Sequence, residues 1–121
     1  MTENIKAGQK ILTSYFANWR KYPEGFVPTS ISMFPPKGFK GEALSELAPS
    51  QELLHAIKSG KISQIEYEKI YRLQLEALGP KKVADMSKGR ILLCYEIKTD
   101  FCHRHILRHW LAENGISSEE A

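Results

Sequence analysis

The sequence has only two cysteines, Cys94 and Cys102, in 121 residues. That excludes a disulfide-scaffolded secreted domain, which relies on a framework of paired cysteines where the core is small. No apolar run approaches the roughly 18 residues of a membrane span. The opening MTENIKAGQK also lacks the apolar segment of a secretory signal. A cytoplasmic chain with no membrane partner is the expectation. Charge of one sign is scarce too, because 17 Lys and Arg against 14 Asp and Glu leave a net +3. That is well short of a dedicated nucleic-acid binder, so only the placement of charge can point to a partner. Internal repeats, low-complexity tracts and a second-domain linker are missing. Residues 1–121 are therefore expected to form one domain, with 1–8 and 116–121 frayed.

What is present is a 42% hydrophobic chain, enough for one buried core. Lys10 to Phe16 (KILTSYF) places apolar groups on both faces and predicts an interior strand. Thr29 to Phe34 alternates and is closed by Pro35 and Pro36, which cannot donate to a ladder, so it predicts a second strand. The run Lys37 to Leu47 is loop-like at first. Ser50 can cap a helix over Gln51 to Lys58. Ser63 with Glu66 forms a capping box that opens a longer helix to Leu78, closed by Gly79 and Pro80. Its expected buried stripe is Ile65, Ile70, Tyr71, Leu73 and Leu78. Pro80 to Lys88 predicts a short helix with Gly89 as its C-cap.

The stretch from Arg90 to Glu113 organises the rest. Ile91 to Tyr95 reads as a strand buried on both faces, and Phe101 to Glu113 repeats its apolar residues at helical spacing. Asp100 stands where an N-cap belongs, which puts Cys102, His103 and Arg104 in the first turn. Strands separated by helical segments argue for a small, open, mostly parallel α/β sheet of three or more strands, Rossmann-like and flanked by helices. Ligands of such sheets bind beyond the carboxyl ends of the strands. Three segments converge there: 18–21, 35–40 and 96–104. They carry Arg20, Lys21, Lys37, Lys40, Lys98 and Arg104, so the expected ligand is an anion, most simply a phosphate, a nucleotide or a nucleic acid.

These residues also carry a resemblance. ILLCYE, a short spacer, then CHR with Leu107 and Leu111 is similar to the C-terminal signature of the domain-of-unknown-function 488 family. ILTSYFANWRKYP, ISMFPP and KGFKGEALSELAPS resemble its short-chain branch. The resemblance implies an α/β fold and puts Cys94, Glu96, Cys102, His103 and Arg104 on matched positions, with Arg20 a further match near the first strand. It implies no settled activity and no cofactor.

Chemically, a helix N-terminus, a neighbouring cation and a nearby base are the surroundings that stabilise a thiolate. One reading makes Cys102 the nucleophile, His103 its acid–base partner, and Glu96 a second acid–base group at the strand's end. Arg104, Arg20, Asn18 and Lys37 then bind substrate, with Arg104 expected to swing away from the Ile106 and Trp110 face. The other reading makes Cys102 a small core residue and His103 a hydrogen-bonding anchor. Zinc held by Cys102, His105, His109 and Cys94 is disfavoured without paired-cysteine spacing, so no metal is assigned. A redox pair of Cys94 and Cys102 is also disfavoured, because the spacing is not C-x-x-C. Tyr15, Phe16, Trp19, Tyr22 and Phe26 can stack on bases or simply form core. Two function classes stay open, with the oligomeric state unassigned. One is a small enzyme acting on a phosphorylated, nucleotide or nucleic-acid substrate; the other is a non-catalytic nucleotide- or nucleic-acid-binding module using the same positive edge.

Overall fold

The structure, a computed structural model, describes residues 10–95 and 101–121. β1 (Ile11–Tyr15) runs into a short 3-10 helix (Phe16–Lys21), and β2 (Val27–Ser30) and β3 (Glu42–Ala43) follow. A single 3-10 turn (Ser45–Leu47) leads to α1 (Gln51–Lys58), α2 (Gln64–Leu78) and α3 (Pro80–Ser87). β4 (Arg90–Cys94), α4 (His103–Glu113) and β5 (Glu119–Glu120) complete the chain. The five strands form one sheet in the order β3-β2-β4-β1-β5. Every neighbouring pair is parallel, as the expected open α/β sheet requires. No helix among the described residues is long and apolar enough to cross a membrane.

Local chemistry sets the element ends. Ser50 accepts from the Leu53 N–H, and Ser63 and Glu66 satisfy each other's backbone N–H groups as a capping box. Gly79 ends α2 at φ +91°, where a side chain would be strained, and Pro80 starts α3 directly.

The second strand sits two residues earlier than expected and stops at Ser30. Pro28 is tolerated inside it because Val27 and Ile31 make the N–H bonds toward β4, whereas the β3 side pairs only from Thr29. Beyond Ser30, its hydroxyl bonds the Ser32 backbone and turns the chain out of the sheet.

The stripe expected for α2 is also corrected. Tyr67, Tyr71 and Leu75, spaced i, i+4 and i+8, are the buried residues, while Ile65, Ile70 and Leu73 are 70%, 44% and 69% exposed. Tyr71, already expected in the stripe, carries no buried polar penalty, because its hydroxyl donates to the Leu47 carbonyl at 2.6 Å. The tail is not frayed throughout: Glu119–Glu120 is an edge strand on β1. Residues 1–8 lie outside the described residues.

Register fixes which side chains share a face. Ile11 pairs with Arg90, Thr13 with Leu92 and Tyr15 with Cys94, and strand side chains alternate, so Thr13, Leu92 and Cys94 point the same way. The helices cover that face, packing Leu53, Tyr71, Leu75, Val83, Leu107 and Trp110 against Ile11 and Leu92. The opposite face carries Leu12, Ile91 and Leu93, which are buried under Phe16, Tyr22, Phe26 and Phe39 from the loops.

Candidate active site

β4 ends at Cys94 on the helical face, and α4 begins after Cys102, which is its N-cap. Cys102 takes the position expected for Asp100, which itself lies outside the described residues. Strand end and helix start therefore adjoin, and Cys94 and Cys102 are joined as a disulfide. The two cysteines are thus paired although their spacing gave no sign of it, because the topology sets the strand end beside the helix start.

Arg104, one turn-step into α4, is fully buried. The residue expected to bind substrate is instead engaged by the protein's own groups. Its Nη1 donates to Cys94 Sγ at 2.9 Å and lies 3.6 Å from Cys102 Sγ. Its Nε and Nη2 hold Glu120 of β5 at 3.1 and 2.7 Å, and the Thr13 hydroxyl also donates to Glu120. Burial pushes the Glu120 carboxyl up, but the Arg104 and Thr13 hydrogen bonds and the guanidinium charge outweigh it and leave it below the usual carboxylate range. A buried cation thus touches both sulfurs and is balanced by a carboxylate behind it.

His103 is buried beside them. Its Nε2 lies 2.6 Å from the Ile31 carbonyl oxygen. A carbonyl only accepts, so Nε2 carries the proton and Nδ1 is left as the acceptor. Nδ1 faces Cys102 Sγ at 3.9 Å. The imidazole pKa is lowered to about 4: burial is the main cause, the Ile31 hydrogen bond opposes it in part, and the Arg104 and His105 charges add to the lowering. The Tyr71 ring meets it edge-on at 5.5 Å and holds its plane.

Cys102 and His103 line a cavity of about 250 Å³ whose walls include Phe34, Tyr67, Tyr95 and Phe101, with Lys58 at its rim. A second hollow of about 760 Å³ lies among Phe16, Trp19, Tyr22, Phe39, Lys37 and Lys40. Tyr95 joins the two: it lines the first and packs edge-on against Phe16 of the second at 5.0 Å.

Residues 11–115 match the family model described as the active DUF488-N3 subclade. The chain belongs to the DUF488 family. No curated protein and no solved structure was found to match it. In this DUF488 member the match takes in Arg20 and the whole unit from Cys94 to Arg104, and ends before Glu120.

The structure brings Cys94, Cys102, His103 and Arg104 together and sets Asn18, Lys37 and Arg20 apart from them. Asn18 bonds Ser14 at 3.0 Å, Lys37 lines the second hollow, and the Arg20 guanidinium sits 4.9 Å over the Trp19 ring. Glu96 and Lys98 lie outside the described residues. Reading the sequence missed Glu120, the Ile31 carbonyl and Tyr95. Only Glu120 left a trace, as a carboxylate in a tail read as unstructured.

A metal can be weighed from the donor atoms. Those of Cys94, Cys102 and His103 lie within 4.8 Å of one another, and His105 and His109 are outside that group. The Arg104 guanidinium on Cys94 places a positive charge where a cation would sit, so thiol chemistry suits the cluster better than ion binding.

Proposed function

We propose that this DUF488 member is an enzyme that uses Cys102, in its reduced form, as a covalent nucleophile on a nucleotide or nucleic-acid substrate. The observation that carries the reading is the ordered base. Ile31 fixes the tautomer of His103 so that the free Nδ1 looks at Cys102 Sγ. Nucleophile, base and orienting acceptor in sequence are the working parts of thiol catalysis.

The Cys102 thiol passes its proton to Nδ1. An imidazole this weakly basic takes the proton because a negative charge develops beside it, and Arg104 at 3.6 Å stabilises the same charge. The thiolate attacks an electrophilic centre of the substrate, and His103 returns the proton to the leaving group. Glu96, two residues beyond Cys94, is assigned the acid–base role in the second step: it takes a proton from the water that attacks the Cys102-bound substrate, the bond to Cys102 Sγ breaks, and the sulfur leaves as the thiolate. The rings of Phe34, Tyr67, Tyr95 and Phe101 suit a planar base, and Lys58, Lys37 and Lys40 suit its phosphates.

The test is alkylation of the reduced protein by iodoacetamide, with the modified residue mapped by mass spectrometry. Cys102 should react at neutral pH roughly ten times faster than a free thiol or more, and His103→Gln should slow it. An ordinary rate in the reduced wild type removes the nucleophile.

A second reading, a non-catalytic binding module, is favoured by the larger hollow, where Trp19 is 61% exposed beneath Arg20. It predicts salt-sensitive oligonucleotide binding that Arg20→Ala weakens and Cys102→Ser leaves alone. No binding at low salt would count against it.

A further inference from the structure

The two sulfurs differ in access. Cys102 lines the 250 Å³ cavity, whereas Cys94 is fully buried and is not part of its wall. A small molecule entering the cavity therefore meets Cys102 first. Cys94 lies behind it, and the structure has the two sulfurs joined. Arg104 serves both atoms, at 2.9 Å from Cys94 Sγ and 3.6 Å from Cys102 Sγ, so it can stabilise whichever sulfur carries negative charge. A cavity-facing thiol with a cation and a base beside it, and a second thiol poised at its back, is the arrangement of an oxidised cysteine and its resolving partner.

We infer that Cys102 is an oxidation site for hydroperoxides and that Cys94 resolves the product, storing Cys102 as a reversible disulfide. The inference shares the Cys102 thiolate with the proposed enzyme but requires none of its substrate. In the first step Cys102 Sγ attacks the outer oxygen of the hydroperoxide. The S–O bond forms as the O–O bond breaks, the sulfur is oxidised to sulfenic acid, and the peroxide is reduced to an alcohol or water. The proton that His103 took from the thiol goes to that departing oxygen. In the second step Cys94 Sγ attacks Cys102 Sγ; the S–O bond breaks, and the hydroxyl leaves as water with the Cys94 proton. An external dithiol reverses the pair, becoming a disulfide itself as both thiols are restored. While the bond stands, Cys102 has no free nucleophile and its covalent chemistry is off. The same capture protects the sulfur from the irreversible sulfinic and sulfonic states.

The experiment starts from fully reduced protein, adds one equivalent of hydrogen peroxide and maps the products by mass spectrometry with dimedone as the sulfenic-acid trap. The wild type is expected to lose two hydrogens as a Cys94–Cys102 bond that dithiothreitol reverses. Cys94→Ser is expected to give a dimedone adduct on Cys102, and Cys102→Ser to leave Cys94 unmodified. Sulfinic acid on wild-type Cys102 without a disulfide, or a dimedone adduct on Cys94 in Cys102→Ser, overturns the inference. The wild-type arm decides even if a variant fails to fold. Failure here is separable from failure of the enzyme: fast alkylation by iodoacetamide with no disulfide sinks only the oxidation site. Disulfide formation with ordinary alkylation sinks only the catalytic nucleophile.

Discussion

On the helical face, Cys94, Cys102, His103 and Arg104 are all buried and each has a fixed partner. On the opposite face Trp19, Arg20, Lys37 and Lys40 stand in solvent around an open hollow. Burial makes the first group individually tunable: a single carbonyl decides a tautomer, and a single carboxylate holds a cation against two sulfurs. Exposure leaves the second group to act collectively, through summed charge and stacking area, where each contact is screened by water and salt. Reactivity is thus expected from the first region and affinity from the second. Tyr95 lines the cavity of the first region and packs edge-on against Phe16 of the second.

The contrast is broken most severely by removing the buried cation. Arg104→Ala leaves the Glu120 carboxylate, 10% exposed, without its counter-charge. That loss should destabilise the fold by about 3–5 kcal/mol, read as a lower urea midpoint. Adding Glu120→Gln should recover part of the loss, because the orphaned charge is gone. An unchanged midpoint for Arg104→Ala would mean that the ion pair does not hold this region together.

Next comes pH. His103 has a folded pKa of about 4 against an ordinary 6.5, so below pH 6.5 the unfolded chain takes up a proton that the folded chain refuses. Stability from this group is complete above about pH 6.5 and is lost as pH falls toward 4. The amount is roughly 3 kcal/mol at one pKa unit per 1.36 kcal/mol. Glu120, with its pKa depressed, adds a further loss at lower pH, as its carboxylate is protonated. In His103→Gln the decline between pH 6.5 and 4 should flatten; an unaltered slope would assign the titration to other groups.

Much of the scaffold was legible in the sequence because local chemistry decides it. Ser50, the Ser63 and Glu66 box, and Gly79 followed by Pro80 each act through near neighbours and the structure keeps all of them, while the apolar run Ile91 to Tyr95 is kept as a strand that ends one residue earlier, at Cys94, with Tyr95 half exposed. What was not legible depends on contacts made far along the chain. The buried stripe of α2 is legible only at Tyr71: Ile65, Ile70 and Leu73 look like core, yet the helix turns Tyr67 and Leu75 inward with Tyr71, whose hydroxyl finds a carbonyl 24 residues away. The sequence reads Arg104 as a substrate-binding residue turned away from the Ile106 and Trp110 face, because its partner, Glu120, sits in a strand of two residues that no periodicity can announce. The cysteine pair was discounted for its spacing, although a strand end and a helix start brought side by side need no particular spacing. The motif named the right residues at the sulfur cluster, whereas which of them face one another was a question of tertiary structure.

The exposed region is sharpened by smaller effects of a different kind. Trp19→Ala removes a ring that is 61% exposed. It should leave the urea midpoint nearly unchanged, while weakening single-stranded oligonucleotide binding by about 1–3 kcal/mol if a base stacks there. Arg20→Ala should be smaller still in stability, within about 0.5 kcal/mol, because its contact is a surface cation over a surface ring. Its signature lies instead in the salt dependence: losing one phosphate contact should reduce the slope of log affinity against log salt by about 0.7 on a single strand. Fluorescence anisotropy at several salt concentrations measures both quantities. A slope that Arg20→Ala leaves unaltered would mean that this hollow does not meet the phosphates, and would return any anion recognition to Lys58 at the rim of the Cys102 cavity.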